Sequence, residues 1–194
     1  AMEYEKNRRL YHDMNNHNLV MWKLAEKGEY ERLHKYIGKL RPLEKDRHRQ
    51  WTQNLILDMI LEYKLLAMEK KKILYEIKTD MIGEIALADK ELCILLGNLL
   101  DNAIEACEKL EEEKRMVKIE VRKHHSMFML IVENSCEAHA QVRKGIFRTT
   151  KKDDRMHGYG IHNVRKTVKN RGGQFQYGSR GENFYVKILI PLVI

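Results

Sequence analysis

The sequence predicts an α+β protein in two parts, an N-terminal helical hairpin followed by an α/β sandwich. Three observations lead to this prediction. Apolar residues recur every three or four positions over the first 40 residues, which is the period of an amphipathic helix. Pro42 interrupts that pattern, because proline does not continue a helix. Beyond Trp51, helical stretches alternate with strand-like runs, so we place the two domains at residues 1–48 and 49–194.

The composition is that of a globular protein with an anionic ligand. Hydrophobic residues make up 43% of the chain, and the formal net charge is +8. The basic residues are scattered among acidic ones without an aromatic–basic groove pattern, which disfavours nucleic acid and favours a nucleotide or a membrane surface. The three cysteines are odd in number and lack CxxC spacing. They predict reduced, buried thiols in a cytosolic setting rather than disulfides or a zinc site.

Two amphipathic helices open the chain. The first has an apolar seam that runs to Lys27-Gly28, and the second has a shorter one that ends at Pro42. The seam residues are Leu10, Met14, His17, Met21 and Leu24 in the first helix, and Tyr30, Leu33, Ile37 and Leu40 in the second. Two helices this short bury little apolar surface alone, so the hairpin predicts a homodimer with a four-helix bundle.

The second part reads as several antiparallel strands with helices on one face. From Trp51 the pattern changes, and one face of a helix that continues to about Lys71 is marked by Leu55, Met59, Tyr63 and Leu66. A long buried helix spans residues 92–110, and another helix spans residues 158–170. The predicted strands are residues 73–79, 116–123, 127–134, 174–178 and 183–191, and residues 135–157 resist a regular assignment.

Polar residues line one side of the long buried helix. The segment LCILLGNLLDNAIEACEKL places Asn98, Asp101, Asn102 and Glu105 three or four positions apart, opposite its leucines and alanines. One interpretation is a solvated helix face. The other is a row of carboxamide oxygens near a magnesium ion and its phosphates, because Mg²⁺ prefers oxygen ligands and needs only one or two from the protein.

Two further features indicate a phosphate ligand. The stretch HGYGI places Gly158 and Gly160 where an irregular segment enters a helix, so that backbone amides can approach an anion. The preceding RTTKK (148–152) predicts a mobile basic lid that closes over an anion. Asn134 ends an apolar strand, where its amide could recognise the edge of a base.

These motifs resemble those of a known superfamily. NLLDNAIEA looks like the N box, and the glycine pair like the G box, of the GHKL ATPases. Together with YHDMNNH, QNLILDMILEYK, VENS and FRTTKK, they resemble the cytoplasmic kinase region of AgrC-like, peptide-responsive sensor histidine kinases. The resemblance covers essentially the whole chain. It implies a GHKL sandwich that binds ATP and Mg²⁺ and takes part in quorum-sensing signal transduction.

The resemblance also assigns roles to individual residues. Asn102 would be the magnesium ligand, with Asn98 beside it near the phosphates. Asn134 would read the adenine in place of the aspartate usual in the superfamily. The phosphate tail would be held by the lid and the glycine pair, namely Thr150, Lys151, Gly158 and Gly160.

The stretch YHDMNNH (11–17) contains two histidines that point in different directions. His17 belongs to the apolar seam, whereas His12, Asp13 and Asn16 share an accessible edge of the helix. An exposed histidine is usually an ordinary surface residue. Beside an ATP-binding domain, the neutral imidazole of His12 can instead attack the γ-phosphate of ATP, with Asp13 accepting the proton of its other nitrogen. Asn16 could later orient water toward a phosphorylated partner.

We therefore predict a histidine kinase that phosphorylates itself and then the receiver domain of a response regulator. Ala1-Met2 resembles a cloning remnant, so we expect an upstream sensor segment that holds the full-length protein at the cell membrane. Two alternatives remain, a kinase-silent dimeric scaffold that binds nucleotide and a GHKL clamp ATPase. Clamp ATPases carry a glutamate base four residues before the magnesium ligand, and here that position is Asn98.

Overall fold

A computed structural model describes the backbone of residues 2–40, 50–137 and 159–192, and the side chains of residues 12–40, 50–137 and 160–192. The chain divides into two compact units, Ala1–Arg47 and His48–Ile194. Within the described ranges, every helix is too short or too polar to cross a membrane.

The first unit contains two helices, α1 (Met2–Glu26) and α2 (Tyr30–Leu40). A tight turn joins them through Gly28, whose φ of +68° is left-handed and favours glycine. The two helices contact each other through His17, whose Nδ1 lies 2.8 Å from the hydroxyl oxygen of Tyr36. None of the side chains of α2 is buried in this single chain. The predicted four-helix dimer stays a prediction.

The second unit is built on a five-stranded sheet with the strand order β1-β2-β3-β5-β4. The strands are β1 (Leu74–Thr79), β2 (Met116–His124), β3 (Met127–Ser135), β4 (Gln174–Arg180) and β5 (Asn183–Pro191). Alternation of apolar and polar residues sets which side of the sheet faces the core. In β3, for example, Phe128, Leu130, Val132 and Asn134 are buried, whereas the residues between them are partly exposed.

The prediction of several antiparallel strands is confirmed, but it did not include a parallel pair, and β1 pairs with β2 in parallel. The other three pairings in the described sheet are antiparallel. The difference follows from chain connectivity. A parallel pair needs a crossover connection, and the helical residues 89–107 supply it between β1 and β2.

Helices cover one face of the sheet. They are α3 (Leu55–Lys70), α4 (Asp89–Leu92), α5 (Asn98–Cys107) and α6 (Tyr159–Asn170), with a 3₁₀ turn at Glu112–Lys114. A π-helical turn, Cys93–Gly97, connects α4 and α5 into one continuous helix. The sequence predicted this buried helix but neither its π turn nor its end at Cys107. Its leucines pack with the buried residues of β2, β3 and β5 to form the core.

The face of α3 that was identified from the sequence is not the one that the core receives. Leu55, Met59 and Tyr63 are 73%, 59% and 43% exposed. The core instead receives the opposite face, which consists of Leu57, Leu61, Leu65 and Met68. Both faces carry apolar residues at helical spacing, so periodicity alone could not choose between them. The helix begins at Leu55, because the side chain of Asn54 caps it by accepting from the amide of Leu57.

The cysteines match their prediction only in part. Cys93, Cys107 and Cys136 are all free thiols. Cys107 is buried under β3, where burial raises the pKa of its thiol. Cys93 is exposed on the π-helical turn, contrary to the prediction that all three are buried.

Candidate functional site

Asn98 lies at the start of α5, directly after the π-helical turn. Its side-chain Nδ2 donates to the carbonyl oxygen of Ile94 at 2.7 Å. This bond holds the amide against the helix and leaves Oδ1 directed away from it. The π turn shifts the phase of the helix at this point, and such turns often occur where a helix carries functional side chains.

The structure brings the glycine motif to Asn98. A Cβ added to Gly160 would lie 2.9 Å from Oδ1 of Asn98, closer than carbon and oxygen can normally approach. A larger residue here would require the Asn98 side chain to shift, so glycine favours the close approach of the first described turn of α6 to α5. This contact places the backbone of that turn beside Asn98.

Asn102 lies one turn beyond Asn98 on α5. Its Nδ2 atom is buried, and no residue in the described part of the chain forms a hydrogen bond with it. Leaving a buried polar atom without a partner costs about 1–3 kcal/mol. An unpartnered buried amide in a helix that is otherwise well packed is consistent with a side chain that contacts a ligand.

Asn134 is only 5% exposed and lies near the end of β3, on the face covered by α5. Its Nδ2 donates to the carbonyl oxygen of Ser135 at 2.9 Å. The amide is thereby oriented, and its Oδ1 retains the capacity to accept from a donor such as an amino group. Cys107 of α5 approaches the same strand end, with Sγ 3.8 Å from the oxygen of Ser135.

Other residues named from the sequence lie elsewhere. Asp101 is exposed and pairs with Lys64 of α3. It therefore supports helix packing rather than a ligand site. Thr150, Lys151 and Gly158 lie outside the described residues.

Sequence analysis missed an ion pair that connects the helices around this site. Arg171, just after α6, donates through Nε to Oε1 of Glu91 in α4 at 2.7 Å, and its Nη2 donates to Oε2. The guanidinium lowers the pKa of the Glu91 carboxyl, and the backbone amide of Ala88 lowers it further. The two residues are 80 positions apart, so no local pattern could have revealed the pair.

The first unit holds the residues of the YHDMNNH stretch on one exposed edge of α1. His12, Asp13 and Asn16 are all exposed. Nδ1 of His12 lies 3.5 Å from Oδ1 of Asp13 and 3.3 Å from Nδ2 of Asn16. With hydrogen on Nδ1, the ring donates to Asp13 and leaves Nε2 as a free nucleophile. With hydrogen on Nε2, Nδ1 accepts from Asn16 instead.

Comparison with protein families identifies the second unit. Residues 87–191, more than half of the chain, match the family described as GHKL domain. The chain belongs to the GHKL domain family. GHKL ATPase domains typically bind ATP with Mg²⁺. A search of curated proteins finds no match.

The GHKL fold is also seen in solved histidine kinases. The nucleotide-free catalytic domain of histidine kinase ThkA has 21% identity and a TM-score of 0.57, over 72% of this chain and 91% of that one. Acinetobacter baumannii histidine kinase AdeS has 16% identity and a TM-score of 0.53, over 86% of this chain and 82% of that one. The mycobacterial sensor histidine kinase MprB has 17% identity and a TM-score of 0.50, over 70% of this chain and 93% of that one. These similarities establish a shared fold.

The geometry of the GHKL domain suits a nucleotide with a hard cation. Asn98 and Asn102 offer carboxamide oxygens on one helix, and Mg²⁺ binds such oxygen ligands. The buried Nδ2 of Asn102 has no partner in the described residues, and phosphate oxygens are acceptors to which it could donate. The start of α6 adds amide donors next to Asn98.

Proposed function

We propose that the chain is the kinase region of an AgrC-like sensor histidine kinase. One observation carries the proposal. A GHKL domain, with its asparagine pair and glycine contact, shares a chain with an exposed His–Asp–Asn cluster on a helix. The GHKL domain binds ATP with Mg²⁺ and transfers the γ-phosphoryl group to His12. A response-regulator receiver domain then accepts the group, and an upstream sensor segment holds the full-length protein at the membrane.

Nucleotide binding uses the residues of the second unit. Oδ1 of Asn134 accepts from the exocyclic amino group of adenine, which requires no negative charge on the protein. Asn102 would hold Mg²⁺ through its carboxamide oxygen, and Asn98 with the α6 amides would face the phosphates. When bound, the cation would supply neutralisation of phosphate charge. Thr150, Lys151 and Gly158 complete the phosphate contacts in this proposal.

The transfer step takes place at His12. Nε2 attacks the γ-phosphorus and forms an N–P bond, while the bond from that phosphorus to its bridging oxygen breaks. ADP leaves with the electron pair of that bond. The imidazolium that forms carries its remaining hydrogen on Nδ1, where Asp13 stabilises the charge. In the later step, Asn16 orients water against a phosphorylated partner.

A clamp ATPase is less well supported than a kinase. That chemistry needs a general base four residues before Asn102, and Asn98 stands at this position. An amide cannot accept a proton usefully at neutral pH, and Nδ2 of Asn98 is already engaged with Ile94.

Labelling with ATP tests the proposed reaction. The full chain is incubated with Mg²⁺ and ATP labelled at the γ-phosphate, and the label is then challenged with acid and with base. We expect label that acid removes and base does not, which is typical of phosphohistidine. Acid-stable label would contradict the proposal. Nucleotide binding without label indicates the scaffold, and hydrolysis without label indicates the clamp ATPase.

The half-buried seam of the hairpin supports a homodimer. Met21 and Leu33 remain partly exposed in the single chain, and α2 buries none of its side chains. Met21→Glu places an unpaired charge in the proposed interface, which costs several kcal/mol. We expect light scattering to report a dimer for the wild type and a large loss of dimer for Met21→Glu. Asn15→Glu, which adds the same charge at an exposed position outside the seam, is the matched control. A dimer that persists in Met21→Glu contradicts this interface.

A further inference from the structure

Strand β1 forms one edge of the sheet, and among the described strands it pairs only with β2. Helix α3 packs over this edge and turns its second apolar face outward, with Leu55 and Met59 exposed. An edge strand presents hydrogen-bonding groups that another strand can complete. The edge and the apolar helix face together form a candidate surface, which we call the β1 edge.

The backbone of β1 shows which residues are available for pairing. The amide of Leu74 donates to the oxygen of Arg115 at 3.1 Å, and the amide of Asp80 donates to the oxygen of Val121 at 3.0 Å. In a parallel pair, alternate residues bond to the neighbouring strand. The even-numbered residues of β1 therefore face β2, and residues such as Ile77 and Thr79 direct their amides and carbonyls toward the open edge.

The side chains of β1 are complementary to those of a second copy in antiparallel register. A two-fold axis through Ile77 places that residue opposite itself in a hydrogen-bonded pair and places Thr79 opposite Tyr75. Glu76 then lies opposite the partner subunit's Lys78, and Lys78 opposite the partner subunit's Glu76. Both side chains are substantially exposed, at 43% and 61%, and they already attract each other within one strand at 2.9 Å. Opposite charges directly across two strands stabilise the pair.

The other edge of the sheet lacks this complementarity. An equivalent two-fold pairing of β4 about Tyr177 would place Gln176 opposite Gly178 and Gln174 opposite Arg180. Neither contact joins opposite charges. The charge pattern therefore distinguishes β1 from β4.

Helix spacing is compatible with this pairing. Paired strands lie about 4.8 Å apart, and packed helices lie about 8–10 Å apart. Helix α3 packs over β1. If its axis is displaced a few ångströms from β1 toward the centre of the sheet, the α3 helices of the two copies can pack against each other without a clash. Leu55 and Met59 then gain an apolar partner that the described part of one chain does not give them.

We propose that two copies of this chain associate edge to edge through β1, in antiparallel register about Ile77. The pairing joins two five-stranded sheets into one and packs the outer faces of α3 together. This interface is separate from the N-terminal helices and does not rest on the proposed kinase activity.

Charge reversal tests the register. Self-association of the full chain is measured by sedimentation equilibrium in a Met21→Glu background, which removes the proposed helical interface. Glu76→Lys places like charges across both symmetry-related pairs, so we expect association about tenfold weaker. Glu76→Lys combined with Lys78→Glu restores opposite charges and should return association to within about twofold of the parent. Glu182→Lys, in the turn before β5, makes the same change in net charge and should have no effect.

A cross-link gives a second measurement. Residues opposite each other in a hydrogen-bonded antiparallel pair have Cα atoms about 5.5 Å apart, which suits a disulfide. Ile77→Cys in a Cys93→Ser background, oxidised by glutathione disulfide, should give a covalent dimer as two molecules of glutathione are released. Adding Glu76→Lys should suppress it. The proposal is overturned if Glu76→Lys leaves the association constant unchanged, or if the double reversal does not restore it. It is also overturned if Glu76→Lys does not reduce the yield of the cross-linked dimer.

Discussion

Asn98 and Asn102 lie one helical turn apart, but their amides are engaged differently. Nδ2 of Asn98 donates within its own helix, whereas the buried Nδ2 of Asn102 has no partner in the described residues. An amide N–H that already donates within the protein contributes less to the affinity for a ligand than a buried N–H that has no partner. At the scale of the residue, Asn102 should therefore dominate nucleotide affinity.

Asn102→Ala should reduce Mg²⁺-dependent ATP affinity by at least about tenfold, because it removes the proposed metal ligand and the proposed phosphate donor together. Asn98→Ala should bind ATP more nearly as the wild type does and should mainly lower the rate of phosphorylation. Isothermal titration with and without Mg²⁺ measures both effects. Asp101→Ala is the matched control, since its side chain pairs with Lys64. Wild-type affinity in Asn102→Ala would exclude the proposed ligand role.

At the scale of the element, the two faces of α3 should contribute differently to the free energy of unfolding. One face carries Leu61, which is fully buried, and the opposite face carries Met59, which is 59% exposed. Truncating a buried leucine leaves a cavity as well as removing its transfer free energy. Truncating an exposed side chain does neither.

Leu61→Ala should lower the free energy of unfolding by about 2–5 kcal/mol. Met59→Ala, two residues away on the same helix, should change it by less than about 0.5 kcal/mol. Urea denaturation followed by circular dichroism compares the two variants. Equal losses in both variants would show that the assignment of the buried face is incorrect.

The ion pair between Glu91 and Arg171 ties α4 to the end of α6. The side chains are only 22% and 25% exposed, so solvent screens them less than surface charges. Arg171 lowers the pKa of the Glu91 carboxyl below its ordinary value of 4.5. The carboxylate therefore stabilises the fold above about pH 4.5, and this contribution is lost as the pH falls through the lowered pKa.

Glu91→Gln should cost about 1–2 kcal/mol at pH 7, because it replaces a charge-assisted bidentate contact with a neutral one. The difference from the wild type should shrink as the pH falls below about 4.5, because the unfolded chain then binds a proton at Glu91 before the folded protein does. Urea denaturation between pH 3.5 and 7 follows this difference. Glu113→Gln, at an exposed position, is the control. A difference that does not change with pH would show that the charge of Glu91 is not responsible.

Local patterns predicted most of the elements, and long-range contacts explain what they missed. The hairpin of β2 and β3 and the turn at His125 follow from alternation and turn position. The parallel pairing of β1 does not, because it depends on how the 89–107 helix crosses the sheet. The buried face of α3 was likewise undetermined, since both of its faces are apolar. For the site, the asparagines and Gly160 were identifiable by motif, but their close contact required the fold.

At the scale of the whole molecule, the two compact units carry different parts of the proposed kinase. The second, His48–Ile194, carries the GHKL domain that prepares the phosphoryl group. The first, Ala1–Arg47, carries the histidine that receives it and the apolar seam that we propose dimerises. The positions of the two histidines on α1 make the acceptor testable, since His12 is exposed and His17 contacts Tyr36.

Mapping the phosphorylated residue tests this account most directly. The full chain, His12→Gln and His17→Gln are each incubated with ATP and Mg²⁺, and the phosphorylated residue is located by mass spectrometry under neutral conditions. We predict phosphate on His12 in the wild type and in His17→Gln, and none in His12→Gln, whose ATP affinity should be unchanged. Phosphate that persists in His12→Gln, or that maps to His17 or His34, would contradict the account.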